Sequence, residues 1–219
     1  MSRPQQAPRQ VLVLSLEPSQ HYPEHSQAAT KLVPELDHAL TRDGAPAYVF
    51  ETLPFLWEAA AEKARYQVAE HDPDYVFLLT NEPNHMEILL HRYAGPHYNT
   101  DFPDNAGTTG KDPDPEAIPC ISKSEVFKLH QHWMEQSGGD AGVGREGLAH
   151  VTMAMSGNGG VECEVFRELI LAYADEPRVI ARLGVPPIAP QHEILKPDTL
   201  ARTLAFLMEA EYRFQQPGV

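Results

Sequence analysis

Apolar positions along the chain alternate between short solid runs and longer stretches that repeat every three or four residues. "QVLVLSLEP" is a run of the first kind, closed by Glu17-Pro18, and reads as a buried strand followed by a loop. "HSQAATKLVPELDHAL" reads as a helix, with Ser26 placed to cap it and Pro34 predicting a kink or a second helical piece. "PAYVFETLP" has the β-branched and aromatic content of a second strand. "FLWEAAAEKARYQVAEHDP" then carries Leu56, Ala60, Ala64 and Val68 on one helical face and stops at His71-Asp72-Pro73. "DYVFLLT" is the clearest buried strand of the sequence.

The order strand, helix, strand, helix, strand predicts a parallel sheet with helices on its faces, and sites in such sheets lie at the carboxyl ends of the strands. Residues 81–119 are rich in Pro, Gly, Asn and Asp and too many for a simple connection, so they read as a functional or interface-forming excursion. "SKSEVFKLHQHWMEQ" returns to helix, residues 137–147 form a glycine-rich insertion, and "LAHVTMAM" is a strand. "VECEVFRELILAYADE" is a helix whose Val161, Val165, Phe166, Leu169, Ile170 and Tyr173 share one apolar face. "RLGVPPIAPQH" reads as an extended proline-restrained segment, and the chain closes with the helix "KPDTLARTLAFLMEAEYRFQQ", with Asp198 or Thr199 near its start. The polar residues 1–9 read as a flexible arm and 10–215 as a single α/β domain.

Composition narrows the partners. Acidic residues outnumber basic ones by 31 to 17, a formal charge of −14, which repels phosphate backbones and anionic membranes, so no nucleic acid or membrane partner is expected. No run reaches the roughly 18 apolar residues of a membrane span, and the expectation is a cytoplasmic protein. Cys120 and Cys163 make no disulfide framework, although a single bridge stays open. "GNGG" matches neither of the glycine-rich phosphate motifs and reads as a turn, so no cofactor is expected. Among eleven histidines, the pairs His21 with His25 and His130 with His132 lack a third ligand. On a helix, the second pair would point its rings about 200° apart. No metal is expected, the one chemically reasonable zinc set being His91, His97 and Glu162.

Several stretches, in order, resemble pyroglutamyl peptidase I, also called pyrrolidone carboxyl peptidase, a family of cysteine peptidases that remove N-terminal pyroglutamate. "VLVLSLEPSQHYPEHSQAATKL" resembles its first strand, "GFxPFGG" loop and "NPSxxA" helix start. "FETLPFLWEAAAEKARYQVAEHDPDYVFLLT" is similar to its second strand, helix and third strand. "HRYAGPHYNTDFPDNAG" resembles "ERxAxNxxxARxPDNxG", retaining Arg92, Ala94, Pro103, Asp104, Asn105 and Gly107. "SGNGGVECEVF" resembles "SAGTFVCNxxF", and "GVPPIAPQ" resembles "HxPxxPEQ". The likeness covers most of the chain, and "PDNAG" is its strongest local match.

The resemblance implies a three-layer α/β/α sandwich with a mostly parallel twisted sheet, and commonly a homo-oligomer. It also implies a thiolate at a helix N-terminus, a histidine that shuttles the proton and an acidic residue that assists. Here each position differs. Ungapped alignment from Val161 to Phe166 puts Glu162 at the nucleophile position and Cys163 beside it, His91 at the acidic position, and Gly184 at the histidine position. Leu16 and Ser19 replace the phenylalanines that would sandwich the lactam, and Asn81 replaces a glutamine. A one-residue insertion in the glycine turn with a compensating deletion would return Cys163 to the nucleophile slot, its base then drawn from His91, His97 or His21.

Each residue also has a plain structural reading. An acid such as Glu162 is favourable in a helix's first turn through the macrodipole. A lone cysteine such as Cys163 is commonly an inert small core residue. His91 and Glu162, if they face each other, would form a charge-assisted lock or an acid/base pair, of which the lock is favoured. The expected function is thus a peptidase-like protein without the thiol chemistry, binding a small polar ligand or a peptide N-terminus at the old cleft. The alternative is a divergent hydrolase, either a pyroglutamyl aminopeptidase using Cys163 or one using His91 and Glu162.

Overall fold

A computed structural model describes residues 10–23, 26–41, 46–95, 103–110, 119–137, 148–154 and 160–214. Its strands are β1 (Gln10–Leu16), β2 (Ala47–Leu53), β3 (Tyr75–Asn81), β4 (Ile88–His91), β5 (Tyr93–Ala94), β6 (Cys120–Ile121), β7 (Val151–Ala154) and β8 (Val179–Val185). The helices are α1 (Ala28–Leu40), α2 (Trp57–His71), α3 (Val126–Ser137), α4 (Val161–Ala172) and α5 (Pro197–Phe214). A six-stranded sheet in the order β2-β1-β3-β8-β4-β7 forms the middle layer, and β5 and β6 pair as a small separate sheet. The pairs β1–β2, β1–β3, β3–β8 and β4–β7 are parallel, while β4 runs antiparallel to β8.

Period-two alternation sorts the strand residues onto two faces. Val11, Val13, Phe77, Leu79, Leu90, Ala181 and Leu183 pack with residues of α1, α3 and α5. Leu12, Leu14, Leu16, Val76, Leu78 and Ile180 pack with residues of α2 and α4. Helices on both faces of a mostly parallel sheet make the α/β/α sandwich expected from the sequence.

The elements differ from expectation in instructive places. Pro34 sits inside a single helix, α1, rather than dividing it. Ser26 does not cap that helix: its hydroxyl accepts from Ser19 N at 2.7 Å and donates to Tyr22 O at 2.8 Å. Asn81 supplies the cap instead, its Oδ1 accepting from Ala29 N at 3.0 Å. α2 ends as read, at Asp72, whose φ of 43° turns the chain left-handed. The segment taken only as extended contributes its first four residues, 182–185, to β8, a strand buried along its whole length in the sheet interior. The excursion contains β4, another buried strand. The residue 1–9 arm, the glycine-rich insertion after Ser137, residues 157–159 of the "GNGG" turn, His25 and His97 lie outside the described residues.

The "PDNAG" match is a structural clamp. Asp104 is buried and its carboxylate accepts from Trp57 N at 3.2 Å, Ala106 N at 2.9 Å and Thr108 N at 2.8 Å. It thereby closes its own turn and satisfies a backbone donor at the start of α2, whose flanking Leu56 offers no side-chain cap. Asn105 ties the same turn to the loop after β1, with Oδ1 accepting from Gln20 N at 2.6 Å and Nδ2 donating to Pro18 O at 3.2 Å.

Candidate functional site

On the α2/α4 face the apolar stripe gives way to polar residues at the ends of β3, β8 and β4. Alternation puts Thr80, Glu82, Arg182, Gly184 and His91 on this face, in continuation of Val76, Leu78 and Ile180. Arg182 and His91 are direct partners across the antiparallel β8–β4 pair, and Thr80 and Gly184 are partners across β3–β8. The first turn of α4, with Glu162 and Cys163, is electrostatically coupled to this cluster through Arg182.

A single oxygen holds the cluster together. Glu82 Oε1 lies 2.8 Å from His91 Nε2 and 3.1 Å from Arg182 Nη2, and Arg182 Nε donates to Thr80 Oγ1 at 3.1 Å. His91 and Arg182 are each only 4% exposed. A cation at that depth is stable only when paired and hydrogen-bonded, and Glu82 with Thr80 meets both needs. Burial works to raise the Glu82 carboxyl, but the hydrogen bond with His91 and the charge of Arg182 outweigh it and hold the group below its ordinary range. Burial, with the Arg182 charge added, lowers His91 to about 4 against the pull of Glu82. At neutral pH, therefore, Glu82 is a carboxylate and His91 a neutral imidazole. The carboxylate can only accept, so the ring proton sits on Nε2 and Nδ1 carries a lone pair. Among the described residues His91 Nδ1 and Arg182 Nη1 have no hydrogen-bond partner.

Gly184 makes this arrangement possible. A Cβ there would approach Glu82 Cγ more closely than real Cβ atoms do and would stand 3.0 Å from both Glu82 Oε1 and His91 Nε2. The space a side chain at 184 would enter is filled by the glutamate and the imidazole.

The residues singled out in the sequence fall as follows. Cys163 is fully buried among the α2/α4 core residues, with Sγ donating to Gly95 O at 3.7 Å. Burial pushes its thiol up, the Arg182 charge opposing only in part. Glu162 is partly exposed in the same helical turn; desolvation raises its carboxyl, opposed by its own backbone N–H and Arg182, while Glu82 adds to the rise. The partner of His91 is Glu82 rather than Glu162, so the lock expected between residues 91 and 162 is made with a different acid. Leu16 lies in the core, and the buried Ser19 hydroxyl accepts from His21 N and Tyr22 N, both at 3.3 Å. Asn81 spends its oxygen on α1. His132 stacks on Phe206, with ring centroids 5.4 Å apart. Among the described residues no cluster of three or more His, Cys, Asp or Glu is arranged to hold a metal ion.

Sequence reasoning missed Glu82, Arg182 and Thr80. A signal for Arg182 did exist: it is the one charge in "VIARLGV", and a cation in an apolar strand calls for a buried acid as partner. Glu82 directly follows β3, where nothing local marks it.

The protein is thus an α/β/α sandwich with a partly buried acid and a buried histidine and arginine clustered near its strand ends. Its fold is that of pyroglutamyl peptidase I. The Bacillus amyloliquefaciens pyroglutamyl peptidase I structure superposes with a TM-score of 0.75 at 14% identity, covering 94% of this chain and 97% of that one. A mutant pyrrolidone carboxyl peptidase from Pyrococcus furiosus gives 0.74 at 18% identity over 94% of this chain and 100% of that one. The Thermococcus litoralis pyrrolidone carboxyl peptidase gives 0.70 at 14% identity, covering 94% of each chain. No protein-family model and no curated protein matches the sequence. At these identities the likeness is one of fold. No described helix is long and apolar enough to cross a membrane.

Proposed function

We propose that this chain is a pyroglutamyl-peptidase-like protein that has lost thiol peptidase chemistry and holds a small polar ligand, or the N-terminus of a peptide, at the strand-end cleft. The observation that carries the reading is at Gly184, the position matched to the family's histidine. Its side-chain space is taken by Glu82 and His91, so no proton shuttle can be built there without dismantling the buried cluster. The state of the thiol supports the same reading. The thiolate is the nucleophile, and a buried group with a raised pKa presents little of it at neutral pH. With Leu16 in the core, and the Ser19 hydroxyl and Asn81 oxygen engaged by backbone donors, the positions matched to the lactam pocket serve the fold. Among the described residues, His91 Nδ1 and Arg182 Nη1 in this cluster have no hydrogen-bond partner and remain for a ligand.

The test is a fluorogenic pyroglutamyl amide alongside a thermal-shift panel of small polar compounds. Absence of turnover, with ligand-dependent stabilisation that weakens in Glu162→Gln, is the expected result. A second reading, a divergent hydrolase, draws on the neutral His91 held by Glu82, an acid-oriented imidazole of the kind general bases use. Turnover abolished by Cys163→Ala would establish the aminopeptidase form, and turnover that survives Cys163→Ala but not His91→Gln would establish the other. Either result would replace the binding reading.

A further inference from the structure

On the α3 face of the sheet, opposite the cleft, one cation stands without an acid. Arg65, Arg178, Arg182, Arg202 and Arg213 each pair with a carboxylate. Arg92, which follows β4, is held by rings instead: its guanidinium carbon lies 4.4 Å from the ring centroid of Phe127 and 5.1 Å from that of Tyr93. Among the described residues no hydrogen bond or ion pair reaches that guanidinium. Glu125, just before α3, is paired with Lys128.

The rings belong to a strip that faces solvent. Ala94 and Cys120 turn toward the α2/α4 core, so alternation turns Tyr93 and Ile121, direct partners across β5 and β6, to the other side. Ser122 N donates to Arg92 O at 2.7 Å and draws the two segments together. Phe127, Arg92, Tyr93 and Ile121 are thus contiguous. Ile121 is 58% exposed and Phe127 48%, large apolar side chains that folding leaves in water. Contiguous exposed apolar groups mark contact surfaces, and Tyr and Arg are the residue types that anchor them.

The occupant follows from the chemistry of the strip. A guanidinium lying over aromatic faces keeps its N–H edge for a planar acceptor, and a carboxylate takes that edge with two parallel hydrogen bonds. The rings already restrict the side chain, so little rotamer freedom is lost on binding. Charge selects the source. At −14 the chain repels polyanions and also a second copy of itself, which leaves a partner of low or positive net charge that offers one carboxylate locally.

We propose that Phe127, Arg92, Tyr93 and Ile121 form a docking surface for a protein segment that presents one Asp or Glu beside an aliphatic side chain. The carboxylate sits on the Arg92 fork and the aliphatic group on Ile121 and Phe127.

The experiment titrates the full-length protein with acetyl-Leu-Glu-Leu-amide and follows the Ile121 methyl and Arg92 Nε–H resonances by NMR. Both should shift together and saturate, and at least tenfold more acetyl-Leu-Gln-Leu-amide or acetyl-Gly-Glu-Gly-amide should be needed for the same response. Arg92→Lys keeps the charge but lacks the fork, and should weaken the peptide at least tenfold. Ile121→Ser, at an exposed position, should do the same and keeps the test open if the Arg92 variant does not fold. Equal binding of the Gln peptide would overturn the carboxylate, equal binding of the Gly peptide would overturn the aliphatic contact, and either result sinks the proposal. So does the absence of any shift up to the solubility limit of the peptide. Ultracentrifugation of the unaltered protein and of Ile121→Ser tests the other occupant, and the two should sediment alike. A dimer that Ile121→Ser dissociates would make the strip an interface between copies and overturn the foreign partner.

Discussion

Substituting His91 by Gln should flatten the acid side of the protein's stability curve. Folded His91 stays neutral down to about pH 4, whereas an unfolded imidazole takes up its proton near 6.5. Between those values the unfolded chain holds more protons than the folded one, so acid favours unfolding. The stability tied to neutral His91 is fully present above pH 6.5 and is lost as pH falls toward 4. At roughly 1.4 kcal/mol per pKa unit the whole window carries about 3 kcal/mol, of which about 2 kcal/mol falls between pH 7 and pH 5. Burial sets this value first, and the charged and titratable groups that face the ring are Arg182, Glu82 and His85. Glu82, whose pKa is lowered, adds a loss of the same sign only at lower pH, as it is protonated through its folded value. Glu162 acts in the opposite sense: its carboxyl is raised by folding, so its contribution is present in acid and is lost as pH rises through the folded value. Urea unfolding at pH 7, 6 and 5 is the assay. From pH 7 to 5 the unaltered protein should lose about 2 kcal/mol more than His91→Gln. Parallel curves would refute the reasoning, as would an NMR titration in which His91 protonates near 6.5.

Gly184→Ala should cost about 1–3 kcal/mol in urea unfolding, because its methyl group must displace Glu82 from beneath His91; an unchanged midpoint would show that the cluster yields freely. Asp104→Ala should cost about 2 kcal/mol through the backbone donors it leaves without a partner, with hydrogen exchange rising first at Trp57, Ala106 and Thr108. In native protein an alkylating reagent should label the partly exposed Cys120 well before Cys163, and the two should react alike only in denaturant; early labelling of Cys163 would restore it as a candidate nucleophile.

The strand-end cluster shows where sequence reading stops. His91 and Glu162 stood out because a known motif marked their positions, and a charge-assisted contact was expected between the two; His91 makes its contact with Glu82 instead. Its partner was not foreseen. Glu82 lies nine residues before His91, across the reversal from β3 into β4, and Arg182 lies a hundred residues after Glu82. β4 itself was hidden by its short apolar core, "ILL", in a polar, proline-bearing stretch that reads as loop. β8 was hidden by the opposite effect, since the prolines that follow it drew attention from the strand before them.

By itself the sequence determined the alternation of strands and helices, the apolar faces of α2 and α4, the end of α2 at Asp72 and the family whose fold the chain shares. Periodicity carries that information because it depends on residues two to four apart, whose side chains share a face whatever the rest of the chain does. Tertiary structure alone decided that β4 runs antiparallel beside β8, that Asn81 caps α1, and that a glycine at 184 admits Glu82 and His91 into one buried contact. Those outcomes rest on how distant backbones approach one another and on which side chains must share the burial of a single cation, and neither quantity is written in any local pattern.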